Sequence, residues 1–140
     1  MTVMSIDPGA VHCGIALWRN RALRAAYERT PELLIDLVSD MPLECVVIES
    51  FSLSSPKYDR GKSKEAVATL ELIGMVRGIA GDRGVPVYKQ FPSLRHIAMR
   101  GREWRNLKLD ERWGPKLRND HVASAVAHGL YFFHFGKGVG

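Results

Sequence analysis

The sequence predicts a mixed α/β fold: a five-stranded sheet flanked by helices, in one domain over residues 1–140. Three observations carry that expectation. Val3-Met4-Ser5-Ile6 and Cys45-Val46-Val47-Ile48 are near-continuous buried-type runs, the pattern of strands covered on both faces. The first three β-type runs follow one another through tight connections, as in a meander. Beyond residue 30, helical periodicities alternate with the remaining strands, which places helices against the sheet.

Residues 2–7 read as the first strand, ending in Asp7, with Pro8-Gly9 as the turn that follows. Residues 12–18 read as a second strand. Arg19-Asn20-Arg21 is a tight connection to a third strand near 22–28. Thr30 has the character of an N-cap and Pro31 that of a first helical residue, so a helix is expected over 31–39. Leu33, Leu34, Leu37 and Val38 share one of its faces. The apolar run 44–49 is a central strand ending in Glu49. A Ser-, Pro- and Lys-containing loop spans 50–62.

A long helix is expected over 63–82, with Ala66, Leu70, Ile73 and Val76 at helical spacing and Gly84 as its stop. Residues 85–90 form the last strand. Pro86 near its start suits a position close to the sheet edge. A short helical turn follows over 93–99. Residues 100–118 read as basic and irregular. The final helix covers 119–134, and residues 135–140, with Gly136, Gly138 and Gly140, read as a frayed tail.

A hydrophobic fraction of 46% in 140 residues is enough for a sizeable core. No apolar run approaches the ~20 residues of a membrane span, and no secretory signal is visible. The chain is therefore expected in the cytoplasm, of a bacterium or a phage-infected host, with no membrane partner. Cys13 and Cys45 fall in expected core strands and have no zinc spacing. The net charge of +5 favours an anionic partner. Between Arg95 and Arg118 eight basic residues face only Glu103, Asp110 and Glu111, so this stretch equals the entire net excess.

Three polar islands in apolar surroundings carry the chemistry. Asp7 sits at the mouth of a strand, where its competing role is to cap the Pro-Gly turn. Glu49 ends a central strand, where a charge needs pairing or a metal. Asp120 and His121 open the last helix. At about 100° per residue, Asp120, Ser124, His128 and His121 make one polar arc, opposite Val122, Val126, Leu130 and Phe133. Asp120 also suits a helix N-terminus on electrostatic grounds alone. Carboxylates converging with a histidine can hold Mg²⁺, with Mn²⁺ as a substitute. Two such ions about 4 Å apart generate the nucleophile and stabilise the leaving oxygen in phosphodiester hydrolysis.

Ser5-Ile6-Asp7-Pro8-Gly9 followed by Cys13-Gly14-Ile15-Ala16 resembles the first motif of RuvC-type Holliday junction resolvases, of the ribonuclease H-like superfamily. Val46-Val47-Ile48-Glu49 resembles their second acidic motif, and Gln90-Phe91-Pro92-Ser93 also suits them. Asp120-His121-Val122-Ala123-Ser124-Ala125 resembles their C-terminal acidic helix. The resemblance covers nearly the whole chain in order, and the chain is short for the family, as a phage-type member would be. It implies a ribonuclease H-like fold, a Mg²⁺-dependent endonuclease, a branched-DNA substrate and a homodimer that presents two sites to opposed strands. By this resemblance Asp7, Glu49 and Asp120 ligate metal, and His121 ligates or positions the water. The family pairs two metal-binding positions three apart on the final helix. Here His121-x-x-Ser124 has that spacing and Asp120 lies one residue early, so either Asp120 supplies the carboxylate or Ser124 marks a reduced shell.

The DNA-contacting candidates form two groups. Phe51 or Tyr58, in the loop after Glu49, can stack on an unpaired base, and Lys57, Arg60 and Lys62 can neutralise phosphates. Arg95, Arg100, Arg102, Arg105 and Lys108 form the stronger basic group, with Trp104 interleaved as a stacking side chain. Two other activities compete: a ribonuclease H-like enzyme acting on RNA–DNA hybrid, and a non-catalytic branched-DNA-binding module. An actin-like phosphotransferase is excluded because 140 residues cannot supply its two lobes.

Overall fold

The structure is a computed structural model and describes residues 1–50, 63–109 and 112–136, without the side chains of residues 63, 108 and 109. The strands are β1 (Thr2–Asp7), β2 (Cys13–Arg19), β3 (Ala22–Arg29), β4 (Leu43–Glu49) and β5 (Val87–Gln90). The helices are α1 (Pro31–Asp40), α2 (Ser63–Asp82), α3 (Leu94–Met99), α4 (Arg102–Leu109) and α5 (Asp120–Phe135). A 3-10 turn, Lys116–Arg118, precedes α5.

The sheet order is β3-β2-β1-β4-β5. β1, β2 and β3 form the antiparallel meander, whereas β4 and β5 run parallel to β1. This is the expected mixed five-stranded sheet with helices on both faces. Asn20 and Arg21, both with positive φ, make the two-residue turn between β2 and β3. Thr30 caps α1 as expected, accepting from the Leu33 amide.

Side-chain alternation sorts each strand between two cores. Met4, Ile6, Val46 and Ile48 pack with Leu34 and Val38 of α1 and with Leu72, Ile73 and Val76 of α2. Val3, Cys45 and Val47 face the other way, against Val122 to Leu130 of α5 and against Ala98, Trp104, Trp113 and Leu117. The same parity sends Asp7 and Glu49 toward α5. Two glycines let α5 lie close to the sheet. A Cβ at Gly14 would run into the backbone of His121 and Val122, and one at Gly129 into the Trp18 ring.

Three expectations need correction. The stretch read as irregular, 100–118, contains α4 and the 3-10 turn. Its signal was the three-residue spacing of Trp104 and Leu107, which puts both toward the core while arginines cover the outer face. Trp104 is accordingly buried, so it cannot stack on DNA as expected. The last strand also begins later than expected, at Val87. Pro86 sits just before it, on the β5 edge, and its carbonyl accepts from the Val46 amide.

Candidate active site

Register brings the first two carboxylates together. Ile6 pairs with Ile48 across the parallel β1–β4 ladder, so Asp7 and Glu49 follow side by side at the strand ends. Glu49 in turn pairs with Gln90 of β5. The row Asp7, Glu49, Gln90 therefore crosses three neighbouring strands beneath α5.

Asn119 starts α5 by accepting from the Val122 amide, and its own side-chain amide donates to Glu28 Oε2 of β3 at 3.0 Å. That tether holds the first turn of α5 over the strand ends. His121 Nδ1 comes within 3.4 Å of Asp7 Oδ2, but without hydrogen-bond alignment, so this enclosed nitrogen has no hydrogen-bond partner among the described residues. Asp120 is exposed at the start of the helix, and its charge acts on Asp7. Ser124, one turn on, is fully buried and donates to Glu49 Oε2 at 2.9 Å. Ser124 also lies within hydrogen-bond reach of Asp7, so its one hydroxyl serves both acids in turn.

The two carboxylates differ electrostatically. Burial, reinforced by the charge of Glu49, pushes Asp7 up to about 8, against the opposing pull of Arg95 and Ser124. Burial also acts to raise Glu49, but the hydrogen bond and charge of His128, with Ser124 and Arg95, outweigh it and lower this group. Arg95, half-buried on α3, thus acts on both acids.

His128 is the residue that sequence reasoning left without a role. It is fully buried, and its Nε2 lies 2.8 Å from Glu49 Oε2 while its Nδ1 lies 2.7 Å from Gln90 Oε1. Its place on the polar arc of α5 was the available signal; Gln90 was marked only as part of the Gln90-Phe91-Pro92-Ser93 stretch, with no role given to its side chain.

Among the remaining candidates, Arg100, Arg102 and Arg105 are exposed on α3–α4. Phe51, Lys57, Tyr58, Arg60 and Lys62, and the side chain of Lys108, lie outside the described residues. Among the described residues, no three of His, Cys, Asp and Glu gather closely enough to enclose an ion. A groove of about 530 Å³, lined by Tyr27, Arg29, Leu33, Asp36, Asp40 and Met41, lies on the α1 side of the sheet, away from Asp7 and Glu49. No helix among the described residues is long and apolar enough to cross a membrane.

This mixed five-stranded sheet flanked by helices is a ribonuclease H-like fold. Solved structures similar to it include two of RuvC and one of a viral resolvase. Thermus thermophilus RuvC in complex with Holliday junction substrate superposes with a TM-score of 0.69 at 19% identity, over 98% of this chain and 97% of that one. Another Thermus thermophilus RuvC structure gives 0.64 at 20% identity, over 98% of both chains. The Fowlpox virus resolvase, in complex with Holliday junction DNA, gives 0.62 at 16% identity, over 93% of this chain and 97% of that one. No family model and no curated protein sequence matches the chain.

Proposed function

We propose that this chain is a structure-selective endodeoxyribonuclease that cleaves four-way DNA junctions by metal-dependent phosphodiester hydrolysis. The observation that carries this reading is the in-register pair Asp7 and Glu49 facing His121 and Ser124 of α5. The resolvase structures in complex with junction DNA support the substrate class.

The donor set fits a divalent cation. Carboxylate oxygen and imidazole nitrogen are ligands that Mg²⁺ and Mn²⁺ accept. A buried acid pushed up to about 8 beside a second acid is a place short of positive charge, and His121 Nδ1 is left unpaired there. Asp7, Glu49, Asp120 and His121 would hold the metal; when bound, it supplies an activated water and neutralises charge on the leaving oxygen. The chain's own contribution is to fix Glu49 through Ser124 and His128 and to set Arg95 beside the acids, where it can pair with a phosphate. Arg100, Arg102 and Arg105 extend that basic surface along the DNA. A dimer with two-fold symmetry would deliver the two cuts a junction requires.

One observation favours a second reading. A hydroxyl at Ser124 and an outlying Asp120 leave few donors gathered, which suits a module that binds junctions without cutting them.

The test is cleavage of a labelled four-way junction with Mg²⁺, Mn²⁺ or EDTA, beside linear duplex and RNA–DNA hybrid. Paired metal-dependent nicks at the junction are expected. Cutting of the hybrid alone would change the substrate, and binding without cutting under either metal would favour the second reading.

A further inference from the structure

Two buried polar side chains have no packing reason to be where they are. His128 interrupts the otherwise apolar middle of α5, between Ala127 and Gly129, and Gln90 ends an edge strand with no exposed surface. Burying such groups is costly unless hydrogen bonds offset the loss of water. Theirs are spent on one another and on Glu49. The His128 ring spans from Gln90 Oε1 at 2.7 Å to Glu49 Oε2 at 2.8 Å. Gln90 leaves its amide nitrogen unpaired among the described residues, a cost tolerated in a position whose other contact locks the ring. Whichever way the amide faces, the ring remains held.

We propose that His128, locked by Gln90, is a positioning residue that fixes the rotamer of Glu49 so that Glu49 Oε1 alone is offered to the cation site; this rests on the endonuclease reading above. Ser124 and His128 are four residues apart, on one face of α5, and both occupy Glu49 Oε2. Glu49 otherwise has three rotatable side-chain bonds at a strand end, and an unfixed carboxylate would have to be ordered each time a cation bound. Partners behind a metal-binding carboxylate commonly change metal affinity by about 10–100-fold. The chain thus lacks a carboxylate at Ser124 but holds tightly the one it has at Glu49.

The test uses the full chain and Mn²⁺ as the probe. Mn²⁺ affinity is measured by calorimetry without DNA, junction affinity in EDTA, and cleavage as a function of Mn²⁺ concentration. His128→Leu keeps the volume and removes both bonds; Gln90→Met frees only the far side of the ring. His128→Leu is expected to weaken Mn²⁺ binding by about 10-fold or more, and Gln90→Met by less. Junction affinity in EDTA should stay unchanged, and cleavage should return at raised Mn²⁺. His128→Gln, which keeps an amide donor, should recover part of the loss.

Unchanged Mn²⁺ affinity in a folded His128→Leu or, where that variant does not fold, in Gln90→Met would overturn the proposal. Equal losses of metal and junction affinity, or failure of both variants to fold, would make the pair a structural element and overturn it too. If the unaltered chain cuts junctions while the variants are indifferent, only the positioning role fails. If the unaltered chain neither binds Mn²⁺ nor cuts, the endonuclease reading itself fails.

Discussion

Asp7 and Glu49 stand side by side at the ends of two parallel strands, yet burial pushes Asp7 up to about 8 while Glu49 is held below its ordinary range. The difference lies in their partners. Glu49 receives Ser124 and His128 on one oxygen, whereas the nearest ring nitrogen to Asp7 is not aligned to bond it. One acid is thus stabilised as a carboxylate by the protein, whereas burial and the neighbouring charge disfavour the ionised form of the other.

Asp7 should make the metal-free protein pH-sensitive. Its folded value lies above its ordinary 3.8, so the native state binds the proton more tightly than the unfolded chain does. Its contribution is therefore most favourable below about pH 4 and is progressively lost as the pH rises to about 8. Asp7→Asn should raise Tm in EDTA at pH 8 by at least about 4 °C, have much less effect at pH 4, and abolish cleavage. Melts of both proteins at the two pH values check this; an equal shift at both would remove the titration from the explanation.

Glu49→Gln should abolish cleavage while leaving junction binding in EDTA intact, because it alters the carboxylate without touching the basic surface. Near-normal nicking by this variant would take Glu49 out of the site.

Gly14→Ala should damage both stability and activity. The added methyl meets the backbone of His121 and Val122, which cannot rotate away as a side chain would. Overpacking of this kind costs roughly 1–3 kcal/mol and lifts the first turn of α5 from Asp7. Denaturant melts and the junction assay read the two effects; wild-type values in both would show that α5 does not rest on Gly14.

Neutralising Arg100, Arg102 and Arg105 together should flatten the salt dependence of junction binding, reducing the log–log slope by about 2 to 3 if each meets a phosphate. An unchanged slope would place the α3–α4 face away from DNA.

The strands were legible because burial on both faces writes continuous apolar runs, and the meander because its connections are short. α4 was obscured by its charge: polar residues dominate Arg102–Leu109, and among the described side chains Trp104 and Leu107 mark its inner face. Trp104 among arginines looked like a stacking residue, since sequence does not tell which side of a short helix is covered.

The sequence by itself determined the sheet and the positions of Asp7 and Glu49 at strand ends. It also determined the helix that opens with Asp120 and His121, because these follow from periodicity and capping within short segments. Only the tertiary structure decided what stands opposite each of them. His128 meets Glu49 across 79 residues of chain and Gln90 across 38. A helical wheel gives a side chain's direction about its own axis and nothing of what lies across from it. That is fixed by the strand register and by the close seat of α5 over Gly14 and Gly129, both products of the packed whole.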